Sequence, residues 1–253
     1  MSVSAQASAP RGHRLLDALI IIALVIAGWQ GVYAWVGDSA ITSPLQTLQY
    51  AAGLIGTANF WTHVQATLTA FVYALVISIA LGLATGLFLG LQRFAGDVGE
   101  PILVALYTIP KITLYPLVLL IFGLGLSAKV AFGVMHGIIP IILFTLNAVK
   151  NVNPVLLRTA RVMRLSRWQT IRTVLAPAVM PEIITGVRVG FSLTMLGVLI
   201  GEMFASQRGL GFLIINGINL HNVRMTTSVI LVVVVFAVTA NGLLLALDRR
   251  MRR

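Results

Sequence analysis

The chain has 253 residues, 58% of them hydrophobic and only 10% charged, with a net charge of +11 and no cysteine. So few charges cannot cover a water-exposed globule, whose charged content is ordinarily about 25%, so lipid must solvate much of the surface. Without cysteine there is neither a disulfide framework nor a thiolate metal or redox centre.

In chain order, a cytoplasmic tail is expected over residues 1–14, then a first apolar stretch over 15–35. It is longer than the ~7–15-residue core of a cleavable signal, and no small-residue cleavage site follows it. It therefore reads as a spanning helix. Further stretches over 65–91, 102–124, 130–149, 183–205 and 226–247 approach the ~20 residues a membrane crossing requires, which makes six in one domain over 15–248. Between the first two, Ser43-Pro44 reads as an N-cap with proline at the first helical position, opening a short outer helix with an interfacial Trp61. Pro110, Pro116 and Pro140 are expected to break the helical ladder inside the third and fourth spans. Such breaks persist in a membrane only where protein or water lines them.

Basic residues fix the orientation. With the N-terminus inside, thirteen lie on the cytoplasmic side, including a short basic tail over 249–253, and Lys129, Arg208 and Arg224 lie outside. That asymmetry is the positive-inside signature and puts both termini in the cytoplasm. It also accounts for the net charge without nucleic acid. Small residues recur every fourth position at Ser78, Gly82, Gly86 and Gly90, and as the pairs Gly133/Gly137, Gly186/Gly190 and Gly197/Gly201, a spacing that lets helices approach closely in lipid. Packing within one chain is the plainer reading, a contact between copies the alternative.

The informative segment is the inner loop 151–181. Asn153 with Pro154 opens one helix, and Ser166 with Gln169 forms a capping box for a second. Leu156, Leu157, Ala160, Met163, Trp168, Ile171 and Val174 recur at helical spacing. Between them stand Arg158, Arg161, Arg164, Arg167 and Arg172, with no acidic residue. A structured basic element of this kind is a membrane-surface helix or a docking element.

Four residues inside the spans are ionisable, which makes each a functional candidate. Lys111, between two prolines, could draw an anion into a path, or could snorkel or pair with Glu100 or Glu182. His136 could bond a substrate oxygen or a backbone carbonyl. Glu202, near the outer end of the fifth span, could cap the segment beginning at Gly209 or join an outer gate. Arg188, nearer the inner face, is expected in an ion pair. Asn241 is a further polar residue within the sixth span.

The loop resembles the "EAA" loop of ABC-importer permeases, E-A-A-x3-G-x9-I-x-L-P. Arg158-Thr159-Ala160 stands at the head of the motif, Arg164 at its glycine, and Val174-Leu175-Ala176-Pro177 at its end, with Ser166-Arg167-Trp168-Gln169 between. Glu and Gly are replaced by Arg158 and Arg164. Ile109-Pro110-Lys111-Ile112-Thr113-Leu114-Tyr115-Pro116-Leu117, Phe122-Gly123-Leu124-Gly125, Gly186-Val187-Arg188, Gly201-Glu202-Met203 and Gly209-Leu210-Gly211-Phe212-Leu213-Ile214 are similar to the nitrate/sulfonate/taurine group, and the likeness runs from about residue 43 onward. It implies an all-α polytopic fold of the type I importer kind and a multi-pass place in the bacterial inner membrane. It implies a second permease copy, identical or not, cytoplasmic ABC ATPase subunits carrying ATP and magnesium, and a solute-binding protein. The loop, with Arg158, Thr159, Ala160, Arg161, Arg164, Ser166, Arg167, Trp168 and Pro177, would couple to the ATPase, and Lys111, His136 and Glu202 are candidates for the path. A left-handed Arg164 would cost about 1–2 kcal/mol, so a differently shaped turn is expected there.

No cofactor or metal is expected in this chain. The sequence holds no G-x4-G-K-[ST] phosphate loop and no H-E-x-x-H or G-x-S-x-G motif, and its four histidines are dispersed. An ATPase-independent secondary transporter or channel is the alternative function.

Overall fold

A computed structural model of the protein describes residues 11–251. Residues 1–10 of the expected N-terminal tail, and Arg252 and Arg253 of the basic tail, lie outside the described residues.

Among the described residues every regular element is helical. Helix α1 (Arg11–Val36) precedes α2 (Pro44–Ile55), α3 (Ala58–Leu91) and α4 (Arg93–Thr108). A 3₁₀ turn (Lys111–Leu114) leads into α5 (Tyr115–Phe122), then α6 (Leu126–Lys150). The inner loop forms α7 (Pro154–Val162) and α8 (Arg167–Thr170), continued by a π turn (Ile171–Leu175) into α9 (Ala176–Ala205). Then come α10 (Leu210–Asn219) and α11 (Val223–Met251). Five helices are long and apolar enough to cross a membrane, or six if α4 and the 3₁₀–α5 segment count as one span.

The third expected stretch, 102–124, is broken at Pro110 as expected, and its first helix begins earlier, at Arg93. The two halves meet at an 85° bend. Pro110 has no N–H to extend the ladder, and the residue before a proline is driven out of the helical region; Ile109 accordingly sits at φ −63°, ψ 130°. Pro116 falls in the first turn of α5, where a missing N–H costs nothing. Pro140, expected to break the fourth span, does not: α6 runs through it without interruption and buries it. Neighbouring helices re-satisfy the freed backbone in such cases.

The core is α6 held between α3 and α9. Phe132, Ile141 and Leu146 of α6 are fully buried. Glycines bring the three helices together. A Cβ on Gly82 would stand 2.8 Å from Ile141 Cγ2, one on Gly86 2.6 Å from Thr145 Cβ, and one on Gly90 2.7 Å from Val149 Cβ. On the other face of α6, Gly133 admits Val198, Gly137 admits Thr194, and Gly190 admits Ile141. The small-residue stripes are thus used within this chain, as side-chain-sized gaps that α6 fills from both sides.

Helix α1 is peripheral. Its apolar residues are open on all sides, with Leu24 66% and Val25 64% exposed, as suits a helix solvated by lipid. Trp29 Nε1 donates to the Thr42 carbonyl at 3.0 Å. The outer helix α2 opens as expected, with Ser43 and Gln46 closing a reciprocal capping box. Thr42, Thr47 and Thr227 join it to α11 through hydroxyl contacts of 2.7 Å. Trp61 is half-exposed and donates to Ile55 O at 2.8 Å.

Candidate functional site

The inner loop is built on local rules. Asn153 Oδ1 accepts from Val155 N at 2.9 Å and Pro154 stands at the start of α7. Ser166 and Gln169 exchange bonds of 2.8 and 3.2 Å, which satisfies two donors at the start of α8. Pro177 and Pro181, in the first turns of α9, offer no N–H to the carbonyls behind them. The π turn answers this by reaching one residue further, with Ala176 N bonded to Ile171 O. One long helical segment, Trp168–Phe204, thereby links the loop to the membrane core.

The turn between α7 and α8 corrects the sequence reading. Arg164 does adopt the left-handed conformation, with φ +53°. Leu165 N donates to Ala160 O at 3.1 Å and Arg164 N to Arg161 O at 3.0 Å, the 6→1 and 5→2 bonds of a Schellman C-cap. An arginine thus holds a left-handed position that glycine would occupy without strain. Replacing Arg164 with glycine at this compatible position is expected to raise loop stability by about 1 kcal/mol. Slower amide exchange at Leu165 would report it, and unchanged or faster exchange would count against it.

The loop presents apolar side chains among cations. Val162 is 83%, Met163 65% and Trp168 69% exposed, and Arg158, Thr159, Arg161 and Arg164 are exposed beside them. Arg167 opens α8. Ala160 alone turns inward, 2% exposed. Exposed apolar side chains set among cations are the chemistry of a surface that meets a protein or a membrane.

The intramembrane candidates do not form one cluster. Lys111 Nζ donates to Tyr107 O at 3.0 Å and sits 4.9 Å from the Tyr107 ring centroid. Neither Glu100 nor Glu182 is paired with it: Glu100 and Asp97 hold Lys150, at 3.0 and 2.7 Å. His136 Nδ1 lies 2.8 Å from Phe132 O, a backbone contact within its own helix. Tyr115 and Phe132 stack edge-on at 5.4 Å, filling the space beside His136. Arg188 is not ion-paired as expected; its Nε donates to Asn241 Oδ1 at 2.9 Å.

Glu202 belongs to a different structure. It is fully buried. Thr67 Oγ1 donates to it at 2.8 Å, Gly211 N at 3.0 Å, and Lys129 Nζ, itself 6% exposed, lies 3.6 Å away. Lys129 also donates to Arg208 O at 2.8 Å. Three donors at the start of α10 are met: Gly209 N by His63 Nδ1 at 3.1 Å, Leu210 N by Thr67 at 2.8 Å, and Gly211 N by Glu202 at 3.0 Å. The carboxylate serves as the anion that a helix N-terminus favours. Both glycines are required. Gly209 holds φ +132° with a virtual Cβ inside the Glu202 carboxylate, and a Cβ on Gly211 would strike the Leu199 carbonyl. This knot ties α3, α6, α9 and α10. The sequence signalled its Glu202–α10 half through Glu202 and the Gly209-Leu210-Gly211 spacing. Lys129, His63 and Thr67 were missed, because their partners lie 73, 146 and 135 positions away.

Among the described residues no group of three or more metal-ligating side chains could hold an ion.

A family model described as "Binding-protein-dependent transport system inner membrane component" matches residues 78–253. Over 176 residues the chain is 30% identical to the taurine transport system permease protein TauC of Escherichia coli (strain K12), covering 68% of this chain and 64% of that one. It is 25% identical to the putative aliphatic sulfonates transport permease protein SsuC of Bacillus subtilis (strain 168), covering 88% of this chain and 80% of the relative. Its fold is similar to a chain of the MetNI methionine ABC transporter crystallised in inward-facing conformations. There the TM-score is 0.61 at 18% identity, covering 76% of this chain and 97% of that one.

Proposed function

The chain belongs to the family of binding-protein-dependent transport system inner membrane components, transport subunits rather than enzymes, and from that premise we propose that it forms the path of an ATP-driven importer for a small anionic solute. The observation that carries this reading is the α7–α8 loop, an apolar patch rimmed by arginines and joined to the core by one long helix. Two cytoplasmic ABC ATPase subunits, carrying ATP and magnesium, would seat on that patch. Their closure would push the loop, and the rigid segment Trp168–Phe204 would carry the displacement into the core as a switch between two packings. A second permease copy completes the path and a solute-binding protein delivers the solute at the outer face of the bacterial plasma membrane. The names of TauC and SsuC support a sulfonate or a related small anion, as does Lys111 beside the broken span.

Arg158 stands where the family pattern has glutamate, so the charge offered to the ATPase is reversed. The partner is therefore expected to present an acidic docking cleft, whether the second permease copy is identical or distinct. Changing Arg158 and Arg161 together to glutamate should lower the amount of ATPase recovered with the purified chain about tenfold, and a lysine placed in the ATPase cleft should restore it. Undiminished recovery would mean that these charges do not face the partner.

An ion-driven secondary transporter would need an acid open to its path. Glu202 is instead consumed by Lys129, Thr67 and the start of α10, so no observation favours that alternative.

A further inference from the structure

Arg188 stands twelve residues into α9, about 18 Å from the start of that helix at 1.5 Å per residue. Its Nε–H is held by the Asn241 amide, at 2.9 Å. An amide fixes the plane of a guanidinium and cancels none of its charge, and among the described residues no carboxylate pairs with Arg188. The side chain lines a cavity of about 330 Å³ between α4, α9 and α11, together with Tyr107, Thr185, Ser192 and Asn241. The Thr185 and Ser192 hydroxyls donate to the carbonyls of Pro181 and Arg188. Tyr107 lines the cavity, and its carbonyl and ring hold the Lys111 ammonium, which stands behind the cavity wall without lining it.

A charged group at this depth is costly unless it is paired or faces water. Among the described residues Arg188 has no counter-ion; it is oriented by a neutral partner and borders a space large enough for a solute of several heavy atoms. A guanidinium whose Nε is already anchored keeps its two Nη groups for one ligand, a geometry suited to the paired oxygens of a sulfonate or carboxylate.

Resting on the importer reading above, we propose that the Arg188–Asn241 pair, with Tyr107 and Lys111, is an inner binding station for a small sulfonate- or carboxylate-bearing solute. Asn241 is a positioning residue, and Arg188 supplies the charge that the solute meets. The station is separate from the Glu202 knot, which has no cation to spare for a solute.

The chain has no cysteine, so single cysteines can be read without background. Ser192→Cys places a thiol in the cavity. The assembled transporter, in nanodiscs of neutral phosphatidylcholine, is treated with 2-sulfonatoethyl methanethiosulfonate or with its trimethylammonium counterpart, each of which forms a mixed disulfide and releases methanesulfinate. The ratio of the two rates is normalised to that at Asn59→Cys, an exposed position on the outer side. The expected result is a preference for the sulfonate reagent of about tenfold or more, slowed by excess ethanesulfonate. Arg188→Gln should abolish the preference and Arg188→Lys should retain it. The Ser192→Cys chain alone reads the preference should Arg188→Gln fail to assemble. Failure of both reagents to label, or labelling with no charge preference, would overturn the proposal. Phosphatidylglycerol offers the same oxyanion chemistry; if adding it blocks labelling while ethanesulfonate does not, the site is a lipid site and the solute proposal falls. Labelling does not depend on solute delivery. Absence of a charge preference in the Ser192→Cys chain that keeps Arg188, with the ATPase still bound, would remove the station and leave the importer reading standing, whereas a chain that binds no ATPase would remove that reading itself.

Discussion

Replacing Glu202 with alanine is expected to destabilise the folded chain by about 3–5 kcal/mol, the cost of leaving a buried charge uncompensated. Lys129 would keep only the Arg208 carbonyl, the Thr67 hydroxyl would lose its acceptor, and Gly211 N would be orphaned at the start of α10. Glu202→Gln should fall between wild type and alanine, because the amide oxygen can still accept from Gly211 N. Adding Lys129→Met to Glu202→Gln should recover much of the loss, since no unpaired charge then remains. Thermal unfolding of the purified chains in detergent measures the series. Additive losses in the double variant would mean that Lys129 and Glu202 do not act as a pair.

The second large effect is expected at Ala160, buried at 2% exposure where α7 turns its inner face toward the π turn. Ala160→Leu adds three carbons to a site without room, an overpacking that typically costs about 1–3 kcal/mol. The strain falls on the loop and not on the crossings, so the protein should reach the membrane in normal amount. ATPase recovery should drop by as much as about 100-fold, because the patch of Val162, Met163 and Trp168 is presented only if α7 sits correctly. Normal recovery with normal ATP-driven uptake would show that the ATPase does not read the α7 surface.

Local chemistry made much of this molecule legible. The helix starts at Ser43, Asn153 and Ser166 follow from side chains that bond backbone donors two or three residues on, so a short stretch of sequence contains both partners. The spans follow from apolar length, and the glycine stripes from their four-residue spacing. Three features were not legible for the same physical reason: a third party decides them. Pro140 is continuous with its helix because α3 and α9 enclose it, whereas Pro110, with no such support, bends its span by 85°. Arg164 adopts φ +53° because the bonds to Ala160 and Arg161 hold the turn. Arg188 seeks an amide on α11, fifty-three positions away, and no spacing rule connects them.

The inner-loop element was recognisable as an element but not as a surface. Its arginines and apolar residues are interleaved in the sequence, and only the helix geometry shows Ala160 turned inward with Val162, Met163 and Trp168 turned outward. That division separates the residues that shape the loop from those a partner would touch. Arg158 and Arg164, which depart from the resembled loop pattern, are both exposed. Arg164 holds the left-handed turn between α7 and α8.

The central claim is that this chain transports by borrowing ATP hydrolysis through its inner loop. The most direct measurement is ATP hydrolysis by the complex that purifies with the tagged chain in nanodiscs. Vanadate-sensitive hydrolysis that co-elutes with the chain, and is lost when Ala160→Leu dislodges α7, is the expected result. A chain that purifies free of any ATPase and still drives solute uptake from an ion gradient would contradict the account.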